Sequence, residues 1–274
     1  PAVINTPDEA GFDLTKDPGV PYLYDISLCG SQLNFDRKEA GKRLGESGNE
    51  YEGIKIAGNT FDYPFIHGKA IQTVGGYSFT SCSDEAVENG SVALEEYPIA
   101  DYMGLEKTDG NLSRATYYKT FSSSMQRALT AYCRSGGNLL VSGAYIGSDM
   151  NDSQGNREFT QNILKYRFDS SLQVSGEHIG IQGLGRILSI PRLPNERAYP
   201  VTTPDCIRPM ATAFPVMTYT GGNLPAAVAY KGNDYRTFIM SFPFESIREE
   251  AGRTAVMASI LHFFSADNAG VHRE

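Results

Sequence analysis

The sequence predicts a single α/β domain with a mostly parallel sheet and an antiparallel hairpin near its C-terminus. Three observations carry this. Residues 117–143 read as a helix, a glycine stop and a buried strand. Similar strand and helix signals flank that unit. Near the end, two strand-like runs are joined by the turn-forming stretch Lys231-Gly232-Asn233-Asp234-Tyr235.

In the central unit, Tyr118, Phe121, Met125, Leu129 and Tyr132 recur at spacings of three and four, which marks one helix face. Ser135-Gly136-Gly137 stops the helix as a glycine C-cap does. Asn138 to Ser142 is then a short strand whose apolar run suits burial on both faces. Upstream, Ile54 to Ala57 reads as a strand, followed by a loop from Gly58 to Pro64 and a short helix from His67. Tyr77 to Ser81 reads as a strand. Ser83 follows as an N-cap, with Asp84 and Glu85 placed where the helix dipole favours acids. Ile99 to Met103 is another strand, and Asn156 to Tyr166 is a helix with Phe159, Ile163 and Leu164 on one side. Residues 172–220 hold six prolines and no helix signal, and read as an irregular insertion. Ala226 to Tyr230 and Arg236 to Phe242 form the hairpin. A last helix, about Arg248 to Phe264, turns Val256, Ile260, Phe263 and Phe264 inward. Residues 1–50 are a loop-rich lead-in, and the whole chain, 1–274, is one unit.

Composition excludes several classes. The chain has 274 residues, with 24 basic and 32 acidic side chains and a formal net charge of -8. Nucleic-acid phosphates and anionic membranes call for a basic face, so neither is an expected partner. No apolar run approaches the ~20 residues that cross a bilayer. The four cysteines, Cys29, Cys82, Cys133 and Cys206, include no C-x-x-C pair, so neither a zinc site nor a redox pair is expected. No glycine loop has phosphate-binding order, and Asp149 to Asn156 misses the calcium-loop spacing. The expectation is therefore no metal, nucleotide or flavin.

Two segments stand out chemically. Gly143-Ala144-Tyr145-Ile146-Gly147 has the spacing of a strand-to-helix elbow that presents a nucleophile, with Tyr145 in the central place. Ser241-Phe242-Pro243-Phe244-Glu245-Ser246 closes the last strand. Set against the Q-F-H-P-E-S strand end of class I glutamine amidotransferase-like domains, it resembles them at Phe242, Glu245 and Ser246. Pro243 stands in place of the catalytic His, and Tyr145 in place of the Cys. The resemblance implies a flavodoxin-like three-layer sandwich without glutaminase activity. A wider resemblance covers Ala57 to Pro64, His67 to Ala70, Tyr77 to Val87, Gly143 to Asp149 and Phe242 to Glu245. In these the chain is similar to the secreted bacterial proteins that bear the name xanthan lyase. That implies secretion (periplasmic or cell-surface) and a polysaccharide setting beside neighbouring domains.

Site residues follow from these segments. His67 titrates near neutrality and sits at a helix start, so it is a candidate general base. Tyr145 and Glu245 complete the catalytic candidates. Open α/β sheets bind ligands beyond the carboxyl ends of their strands. On that edge Asn59, Asp62, Cys82 and Asp149 are candidate ligand contacts, and Cys82 is the one substitute nucleophile. Two readings stay open. One is a non-catalytic domain that binds ligand or scaffolds a larger secreted protein. The other is a carbohydrate-active hydrolase or lyase using His67, Tyr145 and nearby carboxylates.

Overall fold

The computed structural model describes residues 63–104, 119–192 and 201–266. Helices α1 (Tyr63–Val74) and α2 (Asp84–Glu88) precede strand β1 (Ile99–Met103). Helix α3 (Ser123–Arg134) leads into β2 (Asn138–Ser142). Helix α4 (Gln154–Phe159) continues through a π-helical turn, Thr160–Leu164, into β3 (Tyr166–Ser171). Strands β4 (His178–Gly183), β5 (Arg186–Pro191), β6 (Asp205–Pro209) and β7 (Phe214–Tyr219) follow. Strands β8 (Leu224–Lys231) and β9 (Arg236–Met240) then lead to helix α5 (Glu250–Ser265).

The central unit forms as its pattern requires. The Ser122 hydroxyl caps α3 by accepting from Met125 N at 3.0 Å. The helix ends in a Schellman arrangement: Gly137 N donates to Tyr132 O and Gly136 N to Cys133 O. Gly136 takes φ +104°, a conformation costly for any residue with a Cβ. The chain then enters β2, whose Leu139, Leu140 and Val141 are buried.

The main sheet has the order β1-β2-β9-β8-β7-β4-β5, and β3 pairs with β6 in a second, two-stranded sheet. Strands β1, β2 and β9 run parallel. The other four pairings of the main sheet are antiparallel. This overturns the expected mostly parallel, flavodoxin-like sandwich. The physical reason lies in the connections. A parallel pair needs a long crossover, whereas strands joined by a tight turn must run antiparallel. β4 and β5 are joined by Leu184 and Gly185, both at positive φ (51° and 72°), which is the backbone of a two-residue hairpin turn. Residues 172–220, which their prolines mark as irregular, carry β4 to β7. Pro191 and Pro209 end strands, and Pro215 lies beside the register shifts of β7, where a missing N–H is tolerated.

Two further expectations change. Tyr77 to Ser81 is not in a strand; it is irregular and exposed, with the Phe79 ring lying over Gly68 of α1. Ser83 holds the N-cap position of α2, but its hydroxyl caps no backbone N–H. The strand read at Ile54 to Ala57 lies outside the described residues.

Helices flank both faces of the sheet around its parallel part. Leu139 and Val141 of β2 share one core with Met125, Leu129 and Tyr132 of α3. Leu140, Phe238 and Met240 share the other with Val256, Ile260 and Phe264 of α5. This alternation places neighbouring residues of β2 in opposite layers. It also brings the carboxyl ends of β1, β2 and β9 to one edge of the molecule.

Candidate functional site

Beside that edge, on the sheet face covered by α1 and α5, three titratable side chains converge. His67 lies in α1, which packs beside α5 and the segment after β9. Its Nδ1 is 2.6 Å from Asp101 Oδ2, and its Nε2 is 3.2 Å from Glu245 Oε2. Asp101 is the middle residue of β1. Glu245 sits in a 3-10 turn, Phe244–Ser246, held by Ser246 bonding back to Pro243 O through its N–H at 3.1 Å. The Phe244 ring packs against the imidazole with centroids 4.7 Å apart. His67 is 2% exposed and Glu245 3%.

Burial by itself would push the imidazole pKa down. The Asp101 carboxylate, with Glu245 adding to it, outweighs burial and raises it to about 10. Both ring nitrogens then donate, one to each carboxylate, and the imidazolium is the form present at neutral pH. The expectation of a free general base at His67 is therefore corrected: the site holds a charged donor clamped between two acceptors. Asp101 was not among the candidates. Its signal in the sequence is a carboxylate within the otherwise uncharged strand Ile-Ala-Asp-Tyr-Met.

Tyr145 lies in the turn after β2, at the same end of the sheet as Glu245, and is half-buried against the apolar core. The turn is not a strained elbow, because Tyr145 is absent from the positive-φ residues. It is a helical turn, with Asp149 N donating to Tyr145 O at 3.1 Å. Its glycines serve close packing instead. A Cβ on Gly143 would lie 2.9 Å from Ile146, and one on Gly147 would lie 3.0 Å from the Phe168 ring.

Of the candidate ligand contacts, Asp149 is buried and engaged: it accepts from Thr120 N at 2.7 Å and pairs with Lys119 at 3.3 Å. Cys82 is exposed, and partial burial with Asp84 nearby pushes its thiol up, away from thiolate character. Asn59 and Asp62 lie outside the described residues. The structure thus joins His67 to Glu245 through direct bonding and adds Asp101. Glu245 bonds to His67, and the last helix has Glu249 at its N-cap position.

Among the described residues, no group of three or more His, Cys, Asp or Glu is placed to hold a metal ion. In the same residues, no helix is long and apolar enough to cross a membrane.

No family model and no curated protein matches this chain. Solved structures give distant likenesses. A beta-galactosidase from Rahnella sp. R3 aligns over 74% of this chain and 26% of its own, at 12% identity and a TM-score of 0.47. A GH42 beta-galactosidase from G. stearothermophilus aligns over 78% and 28%, at 11% identity and a TM-score of 0.46. The mmIFT52 N-terminal domain aligns over 74% and 90%, at 14% identity and a TM-score of 0.45. The chain spans about a quarter of the length of the beta-galactosidases it resembles.

Proposed function

We propose that this chain is a carbohydrate-acting domain of a secreted, polysaccharide-related protein, and that it meets its ligand at the carboxyl ends of β1, β2 and β9. The observation that carries this is the convergence of Asp101, His67 and Glu245 there, where an α/β sheet gathers its ligands. The polysaccharide setting rests on the resemblance to the xanthan lyase proteins across Ala57 to Pro64, His67 to Ala70, Tyr77 to Val87, Gly143 to Asp149 and Phe242 to Glu245.

As a hydrolase or lyase, the site uses His67 as a buried cation that orients Asp101 and Glu245, since both its N–H groups are donated to them. Cleaving a glycosidic link requires a proton for the leaving oxygen from a group that faces the substrate. Tyr145, on the adjoining turn, is the candidate. A specific observation favours a second reading, ligand binding or scaffolding without turnover: His67 and Glu245 are both almost wholly buried.

The test uses the full chain with xanthan. Reducing ends and the ultraviolet absorbance of unsaturated products report cleavage, and retardation in a xanthan-containing gel reports binding. Turnover that is lost in His67→Gln and Tyr145→Phe, with folding intact, supports the enzyme. Retardation without turnover supports the binding module. Neither signal, on xanthan or on a panel of other polysaccharides, overturns the carbohydrate reading. Glutamine hydrolysis is expected to be absent in every case.

A further inference from the structure

Two buried polar atoms on the sheet face that holds His67 make no hydrogen bond among the described residues: Asp101 Oδ1 and Ser142 Oγ. Ser142 is the last residue of β2 and is 2% exposed. In the parallel register Asp101 lies beside Leu140, and Met103 beside Ser142. Side chains two residues apart on a strand share a face, so Asp101, Leu140 and Ser142 all point into one layer. That layer is the one built by α1 and α5. Leu140 belongs to its core, as does Met240, which lies beside Ser142 from β9. On the same face His67 joins Asp101 to Glu245, and Tyr145 packs from the turn after β2. The Ser142 hydroxyl is therefore aimed between the His67 clamp and Tyr145.

We propose that Asp101 and Ser142 form a subsite for two adjacent hydroxyls of a neutral sugar residue: one donates to Asp101 Oδ1, and its neighbour bonds with the Ser142 hydroxyl. The subsite presupposes the carbohydrate-acting domain proposed for this chain and specifies which part of the ligand it holds.

Hydrogen-bonding capacity selects the ligand class. A carboxylate only accepts, so the group that meets Oδ1 must donate. A serine hydroxyl both donates and accepts, so it pairs with a second hydroxyl. Adjacent sugar hydroxyls supply both partners. A uronate carboxylate supplies no donor and sets like charge beside Asp101 and Glu245. The spacing suits such a pair, because the two residues are offset by one strand spacing, ~4.8 Å, and by two residues of rise, ~6.6 Å. His67 Nδ1 holds the other Asp101 oxygen at 2.6 Å, which fixes the direction of Oδ1. Asp101, Met103, Gly104 and Tyr145 are each partly exposed, so the ligand approaches past the end of β1. The Tyr145 side is braced from behind: Asp205 Oδ2 accepts from Gly147 N at 2.9 Å and from Ser148 N at 2.7 Å. Buried polar atoms without partners are costly, and a ligand that supplies the bonds removes that cost.

NMR titration of the full chain with D-glucose, D-mannose and D-glucuronate tests the subsite. Saturating shifts are expected at Asp101, Ser142 and Gly104 with a neutral sugar and not with glucuronate. Ser142→Ala is expected to weaken that binding roughly tenfold, the worth of one hydrogen bond to a buried group. Its melting temperature is expected not to fall, because the hydroxyl it removes has no partner to lose. A merely structural hydroxyl would give the reverse, a lower melt with unchanged binding. Absence of saturating shifts at these residues with both neutral sugars, equal binding of glucuronate, or unchanged binding in Ser142→Ala overturns the subsite. If that variant does not fold, the native chain decides: neutral-sugar shifts centred on Asp101 and Ser142 uphold it, and shifts centred elsewhere overturn it. The carbohydrate reading fails separately. A chain retarded by polysaccharide without shifts at Asp101 and Ser142 keeps that reading and loses the subsite; one neither retarded nor shifted loses both.

Discussion

His67 is held by opposing forces whose balance sets how the protein responds to pH. Its folded pKa of about 10 lies above the ordinary 6.5. The folded chain therefore binds the proton more tightly than the unfolded chain between those values. The clamp's contribution is full below pH ~6.5 and is lost as pH rises through about 10. Native stability is expected to decline across that window, and the decline is expected to shrink in His67→Gln, which thermal melts at a series of pH values would reveal. At neutral pH the same variant leaves two carboxylates without their shared cation, and breaking such a buried pair costs ~3–5 kcal/mol. A melt as high and as pH-dependent as the native one would sink the clamp. The partners of His67 illustrate what one-dimensional reading can reach. The Glu245 candidacy came from its place at the last strand end. Asp101 escaped notice because its pairing spans 34 residues and rests on how α1 packs, which no local pattern encodes.

At the scale of elements, the end of α3 is the most legible feature and also the tightest. Gly137 has no room for a side chain: a Cβ there would lie 2.2 Å from the Tyr132 ring. That ring is fully buried, and its hydroxyl donates to Tyr97 O at 3.0 Å and Asn138 O at 3.1 Å. Gly137→Ala must displace it, and overpacking of this kind costs ~1–3 kcal/mol. Urea unfolding is expected to show a lower midpoint with an unchanged slope; an unaltered midpoint would mean that Tyr132 can move freely. The Ser-Gly-Gly stop and the period of α3 are local signals, so sequence alone recovers them. Tyr77 to Ser81 shows the opposite case. Its alternating aromatic pattern reads as a strand, yet among the described residues no strand pairs with it, and its rings lie on helices instead: Phe79 over α1, and Tyr77 bonded to Ser265 of α5 at 3.0 Å.

At the scale of the whole molecule, Tyr219 is one of the polar points that fasten the two sheets together. Its hydroxyl lies fully buried between Ser241 O at 3.0 Å and Asp205 O at 3.2 Å, so it links β7, the end of β9 and β6. Tyr219→Phe keeps the ring and leaves those carbonyls short of a donor, a loss of ~1–3 kcal/mol. Denaturation followed by exchange should find the amides of β3 and β6 more weakened than those of β2; uniform loss would argue that the two sheets unfold without regard to this joint. Read alone, the sequence determined the helix and strand periods around β2, the antiparallel hairpin of β8 and β9, the inward face of α5 and the prominence of the segments ending β2 and β9. Those are short-range properties, set by side-chain spacing and by glycine and turn chemistry. The tertiary structure alone decided that β4, β5 and β7 join the main sheet while β6 pairs with β3, that most of the main sheet is antiparallel, and that Asp101 and Asp205 become partners of His67 and of the Tyr145 turn. Strand pairing and the burial of a charge depend on residues far apart in the chain, and their energies exist only once the packing has brought those residues together.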